Sequence, residues 1–318
     1  MGAVAVLAGV RNQRAVPDVL EELNVLVIPL GTATTLLVAV LVTWLLFPGR
    51  VGRCLGWRNP AWPQWLGTCL MVLPLGIIAS EAGNWATEGI SRFEPSWVAD
   101  FRRSSGELFE QFARQAWPLL LCGGCVFPGL GEEIYFRGFL SRGLVARYGV
   151  IGGTLLSSLL FSVVHLDPVH ACSVFLLGLG LQYVFLTTRS LLAPIALHTL
   201  NNAAALVALR YQDVFPVRGL SPMPQGMVVH APLPLTLAAV LCLAAVAGLL
   251  FQIRTRWVLP DGSAWSPGYV TAERPPVEGA RAVSAAASAR AWVLIAGLYA
   301  ALIATLYLAH RSAAASLS

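Results

Sequence analysis

The chain has 318 residues, of which only 12% are charged and 57% belong to the apolar set AVILMFWYC. Soluble domains carry about 25% charged residues, and a mean hydropathy of +0.69 suits lipid better than water. These figures exclude a disordered chain and a water-soluble globular enzyme, and leave a polytopic membrane protein. The formal charge is +5 and all 21 basic residues are Arg. They are spread through short loops, which reads as topology signal and contact with lipid headgroups, not as a nucleic-acid surface.

The start, Met1 to Val10, is apolar but has no basic residue ahead of it; Arg11 and Arg14 follow. That argues against a cleavable signal peptide, and position 6 lacks the Ser or Thr of a myristoylation signal. Eight apolar runs follow: Asn24–Phe47, Pro63–Ser80, Ala116 into Arg137, Val150–Leu166, Val169–Thr188, Leu191–Leu209, Leu235–Ile253 and Ala291–Ala309. They are too long and too apolar for strands, and open strands do not survive in lipid. The expected fold is all-α, a polytopic bundle of about eight transmembrane helices. A polar loop from Glu81 to Arg114 separates the second and third runs and contains an amphipathic stretch around Trp97 to Phe112. A Pro-rich loop covers Tyr211 to Pro234, and a Pro/Gly/Ser/Ala linker covers Arg254 to Arg290. This divides the chain into an N-terminal region (1–115), a core that carries the polar motifs (116–210) and a C-terminal region with two spans and the linker (211–318).

Arg50, Arg53 and Arg58, then Arg142 and Arg147, Arg189, and Arg254 with Arg256 follow odd-numbered spans. That places those loops on the cytoplasmic side. Of the six cysteines, Cys122 and Cys125 form a CxxC with no second ligand pair, so they read as small packing residues. Cys54, Cys69, Cys172 and Cys242 read the same way.

Ionisable residues inside spans are costly and mark function by default. Glu133 and Arg137 are four residues apart, share a helix face and can pair. Glu132 is turned about 100° away and escapes that pair. An unpaired glutamate beside a paired one divides into a working and a structural carboxylate, the first able to act as general base. The other reading makes both glutamates glue between helices. Phe161 and His165 repeat the four-residue spacing, so the ring can brace the imidazole. Asp167 with Pro168 reads as the cap and first turn of the next helix, and His170 as a bystander. His198 and Asn202, again four apart, can aim two donors at an oxyanion or, with His165 and Glu132, hold a metal. An interhelical hydrogen bond is the plain alternative. His230 and His310 fall in or beside loops with no chemistry assigned. HExxH, GxSxG and a pair of intramembrane aspartates are missing.

Glu132-Glu133-x-x-x-Arg137, Phe161-x-x-x-His165 and His198-x-x-x-Asn202, in that order, resemble the CPBP family of CAAX prenyl endopeptidases and bacteriocin-processing enzymes, also called Abi. The resemblance covers about Trp117 to Leu206. It implies an intramembrane endopeptidase. In that reading Glu132 activates water and His165 positions it. Glu133 and Arg137 hold the site, and His198 with Asn202 stabilise the oxyanion. A zinc mechanism with His165, His198 and Glu132 as ligands competes with a metal-free one. The metal-free account is favoured, since no thiolate ligand and no carboxylate placed behind the histidines is visible. A peptide or protein substrate, contact with membrane lipids and a bacterial cytoplasmic membrane follow. A non-catalytic scaffold or immunity-type protein keeping the motifs is the alternative. A proton-coupled transporter would call for inverted repeats, which the chain lacks.

Overall fold

The computed structural model describes residues 26–46, 55–90, 92–93, 95–221, 228–265, 275 and 277–317. The readings at Met1–Val10, Arg11, Arg14, Arg50, Arg53 and Cys54 lie outside the described residues. Among the described residues, seven helices are long and apolar enough to cross a membrane. They are α1 (Val27–Leu46), α2 (Trp62–Ile90), the long helix Trp117–Val163, α6 (Pro168–Thr188), α7 (Leu192–Arg210), α8 (Leu233–Gln252) and α9 (Ala289–Leu317). An eighth helix, α3 (Ser96–Ala113), is amphipathic and falls where the sequence expects one.

The long helix is two rods. At Gly149 the backbone leaves the helical region (φ 73°, ψ 176°), a conformation that glycine adopts without steric cost. The chain folds back there into α4 (117–148) and α5 (150–163). The two arms touch: a Cβ on Gly153 would stand 2.5 Å from the Cα of Val145. Seven helices thus supply eight apolar rods, matching the eight runs in the sequence.

Helix α2 is the hub and packs against α6, α7 and α8. Helix α1 lies along α4, α5 lies against α6, and α9 covers α8. The largest buried cluster joins Met71 and Leu75 of α2 to Phe136, Phe161, Leu181, Leu197 and Leu249. Each of the eight rods therefore satisfies its backbone polar groups internally and turns its apolar side chains to its neighbours or to lipid, as a hydrocarbon solvent demands.

Three stretches depart from the sequence reading. Helix α2 does not stop at Ser80 but runs to Ile90, because Glu81 is satisfied within the fold and ends nothing. One of its carboxylate oxygens accepts from Ala231 N–H (2.9 Å) and Asn84 Nδ2 (3.0 Å). The stretch expected as a linker holds a three-stranded antiparallel sheet, β1 (Arg256–Val258), β2 (Ala264–Trp265) and β3 (Arg281–Val283), in the order β2-β1-β3. Trp257 of β1 is buried and pairs with Trp265 and Ala282. Its apolar anchor is one residue wide, too little to stand out from the surrounding Pro, Gly and Ser. His310 is inside α9, not beside a loop, and its Nδ1 meets the Pro216 carbonyl at 2.8 Å.

His230 also has work in the fold. Its Nδ1 is 2.7 Å from Glu81 Oε1 and its Nε2 is 3.2 Å from Glu88 Oε2. Trp85 lies against its ring at 4.2 Å between centroids. Carboxylates only accept, so both ring nitrogens donate and the imidazole is the cation. This ties the loop before α8 to the end of α2. Burial pulls the His230 pKa down, but the hydrogen bonds and charges of Glu81 and Glu88 outweigh it and raise it above the ordinary 6.5. A raised folded-state pKa gives stability that is complete below 6.5 and disappears as pH climbs through the folded value. Melting in detergent should therefore fall as pH rises from 6 to 9, and His230→Gln should flatten that slope; an equal slope in the variant would show that His230 is not its source.

Candidate active site

Two local features aim the polar residues of α4. The helix is not uniform: residues Leu120–Val126 and Ile134–Leu140 form π turns flanking the α segment Phe127–Glu133. In them Phe127 N–H reaches back to Cys122 O and Ser141 N–H to Phe136 O, five residues instead of four. Such bulges rotate the residues that follow, and they concentrate at functional sites. Close approach is the second feature. A Cβ on Gly129 would stand 2.3 Å from Thr199 Oγ1, so only glycine lets α7 come this near, and Thr199 is the neighbour of His198.

At the centre is one oxygen. Glu133 Oε1 is 2.7 Å from Arg137 Nη1 and 2.9 Å from His198 Nδ1. The Glu133 and Arg137 side chains are fully buried and His198 is nearly so. Arg137 Nη2 donates to the Gly178 carbonyl of α6 at 3.1 Å. The guanidinium lies over Phe161 of α5, 4.3 Å from the ring centroid, with Phe136 at 6.0 Å. Guanidinium–ring contacts of this kind gain strength where water is excluded. One arginine thereby gathers α4, α5, α6 and, through Glu133, α7.

Glu133 corrects the expectation that no carboxylate stands behind the histidines. It is the orienting partner of His198, of the kind that fixes an imidazole for work at its other nitrogen. Since an ionised carboxylate accepts, Nδ1 carries the proton, and Nε2 is left facing Glu132 Oε2 at 4.0 Å. Glu132 itself is one-fifth exposed. Its Oε2 is buried and has no hydrogen-bond partner among the described residues.

His165 ends the site on the α5 side. Its Nδ1 meets the Phe161 carbonyl at 2.9 Å, so that nitrogen donates and Nε2 keeps a lone pair. The rings of His165 and His198 both stand edge-on to Phe161, at 5.4 and 5.8 Å between centroids. His170 stands 5.4 Å from His165. Burial, then the neighbouring His170, lowers the His165 pKa to about 4. Asp167 caps α6, accepting from Val169 N–H (2.9 Å) and His170 N–H (3.3 Å). Asn202 lies one turn along α7 from His198, and its Nδ2 donates to the Gly124 carbonyl at 3.1 Å. Glu132 and His198 are thus adjacent, His165 joins them across Phe161, and Asn202 is held towards the first π turn.

Catalytic zinc takes three protein ligands. Glu132 and His198 present two facing donors, and among the described residues no three His, Cys, Asp or Glu side chains stand close enough to share an ion. The set His165, His198 and Glu132 therefore does not fit a three-ligand zinc as these side chains stand. Cys125 packs with Phe112, Leu120 and Leu206, and Cys122 is free and exposed.

Sequence reasoning missed the Gly178 carbonyl, the guanidinium–Phe161 stack and the π turns. Gly123-Gly124 and Gly129 were the available signals, since glycines inside a helix mark close backbone contact.

Fold and site define an integral membrane protein of the all-α class with a buried Glu–Arg–His cluster. Residues 114–204 match the family described as type II CAAX prenyl endopeptidase Rce1-like. The chain is also similar to YdiL of Bacillus subtilis (strain 168), named as a proposed membrane peptidase. The two are 26% identical over 93 residues, which is 29% of this chain and 38% of that relative. No solved structure matches. The matched region holds every residue of the site described above.

Arg137→Met should cost about 3–5 kcal/mol, because Glu133 would remain buried without its guanidinium. Glu133→Gln with Arg137→Met should cost less than the sum of the two single changes; additive unfolding free energies in detergent would show that the pair does not interact. Between pH 6.5 and about 4 the unfolded chain binds a proton at His165 that the folded chain does not. Stability should thus fall as pH drops through that window. Histidine NMR should place the His165 transition near 4; a transition near 6.5 would contradict the buried, neutral ring.

Proposed function

We propose that this chain is a membrane endopeptidase of the bacterial cytoplasmic membrane. The observation that carries the reading is the Glu133 oxygen shared between Arg137 and His198, which turns His198 Nε2 towards the unbonded Glu132. That oxygen fixes three ionisable groups and leaves Glu132 free to move a proton. Glu132 takes a proton from water as the water oxygen bonds to the scissile carbonyl carbon, and His165 Nε2 orients that water as an acceptor. His198 Nε2–H and the second Nδ2–H of Asn202 stabilise the oxyanion. As the tetrahedral intermediate collapses, the C–N bond breaks and Glu132 returns its proton to the departing amine. The charges balance: Glu133 offsets Arg137, and His198 carries a proton on each ring nitrogen opposite the Glu132 carboxylate; the negative charge that Glu132 gives up on taking the water proton passes to the oxyanion and returns to Glu132 when it protonates the departing amine.

The occupant is a peptide or protein segment reached within the bilayer, with lipid around the bundle and no role for nucleic acid. The similarity to a membrane peptidase supports this reading over the site region alone. Two facing donors are gathered and not three, which supports activation of water by Glu132 and His165 alone; one zinc per chain in elemental analysis of the purified protein would overturn that.

A structural reading also has an observation behind it: Arg137, Glu133, His198 and Gly178 already cross-link α4, α6 and α7. Glu132 separates the two. It makes no hydrogen bond among the described residues, so a scaffold or immunity-type protein would tolerate Glu132→Gln. A peptidase should lose about 100-fold or more in rate, the scale of a general base. Comparison of membrane peptides from cells carrying wild type and Glu132→Gln is expected to show products only with wild type. Equal product sets, with equal amounts of inserted protein, would end the peptidase proposal.

A further inference from the structure

One turn beyond Arg137, towards the Gly149 bend, the core turns polar again. Ser141, Ser157, Ser158 and Gln182 are 0%, 1%, 0% and 0% exposed. Their register follows from contacts already fixed. Arg137 lies on Phe161 (4.3 Å) and Gly153 meets Val145 (2.5 Å from a Cβ placed there). Ser141 is midway between Arg137 and Val145, and Ser157 is midway between Gly153 and Phe161, so the two serines share a level. On the α6 side, a Cβ on Gly178 would stand 3.2 Å from Ser158 Cβ, and the Gly178 carbonyl is the one that Arg137 holds. Gln182 is one turn further along α6 and Thr154 one turn further along α5, both in the direction of Gly149.

Ser141 Oγ donates to the Arg137 carbonyl at 3.2 Å. The other groups have no such partner. Among the described residues no hydrogen bond reaches Oγ of Ser157 or Ser158, Oγ1 of Thr154, either Oε1 or Nε2 of Gln182, or Nε of Arg137. An amide and three hydroxyls sealed in a bundle without partners are strongly unfavourable in a hydrocarbon environment. Buried sites of this make-up, polar on several sides and offering two to four partners, are where proteins hold ordered water. The set offers donors (the Gln182 amide, Arg137 Nε) and acceptors (Gln182 Oε1, the serine oxygens) within one stretch of the bundle.

We propose that Gln182, Ser157 and Ser158 form a binding site for ordered water beneath Arg137, with Arg137 Nε donating into it, and that Gln182 is a positioning residue for the Arg137–Glu133–His198 chain. The guanidinium presents five N–H bonds in a fixed fork. Glu133 and Gly178 take its two ends, and water on Nε completes the third direction and stops the plane from turning. The kinetic part of this inference rests on the peptidase reading; the water site does not.

A structure of the wild-type protein at about 2 Å resolution should show ordered solvent within hydrogen-bond reach of the Gln182 amide and of Ser157 or Ser158. Dry packing, with the Gln182 amide bonded directly to protein atoms, would overturn the proposal. With a cleavable substrate in hand, Gln182→Met should lower kcat about tenfold at unchanged KM, and Gln182→Asn, which keeps an amide, should recover part of that loss. Wild-type kcat in Gln182→Met would remove the positioning role. Ordered solvent in a protein that cleaves nothing would leave the water site standing and remove the peptidase reading instead.

Discussion

A carboxylate with no solvent contact, set among apolar helices, must be answered from within the protein, and Glu133 is answered twice through one oxygen. Arg137 supplies the charge and His198 the second donor. Removing either partner leaves a buried group that lipid cannot satisfy. Everything else near the site arranges itself around that demand. The Gly178 carbonyl comes to the guanidinium, Phe161 lies under it, and α7 is drawn close enough for Gly129 to meet Thr199. The four rods that meet here are held by polar contacts of fixed direction, whereas the apolar contacts of α2 with α6, α7 and α8 set only distance.

The two neighbouring glutamates differ in the same way. Glu133 is fully buried and paired with Arg137 through Oε1. Glu132, the next residue, is one-fifth exposed and unbonded at Oε2. Two adjacent residues of one type end up in different surroundings because 100° of helix rotation takes one into the cluster and the other past it. His165 and His198 show the same asymmetry. Each commits Nδ1 to an acceptor, one to the Phe161 carbonyl and one to the Glu133 carboxylate, and each keeps Nε2 for something else.

Much of this was readable before any coordinates. Apolar run length gave the eight rods, because lipid permits few alternatives. The four-residue spacings of Glu133 with Arg137 and of Phe161 with His165 are contacts in the fold, whereas Asn202, four residues from His198, turns to the Gly124 carbonyl. What stayed hidden has a common cause: contacts between elements distant in sequence leave no periodicity. The contact between Glu133 and His198 spans 65 positions, and the tie between His230 and Glu81 spans 149. The latter is why a glutamate that looked like the end of α2 lies inside it. The π turns escaped because they change the period itself, and the sheet around Trp257 because three short strands bury too little to rise above their Gly and Pro neighbours.

The reversal at Gly149 also bears on how the site comes into being. Glu132, Arg137, Phe161 and His165 belong to a single helical hairpin, and only 33 positions separate Glu132 from His165. Contacts so near in sequence close with little loss of chain entropy. The first half of the cluster can therefore close within the hairpin itself, before α7 docks. Until α7 arrives, Arg137 alone answers Glu133, so the arginine that later sustains the mature centre is also the chaperone of its own unfinished precursor.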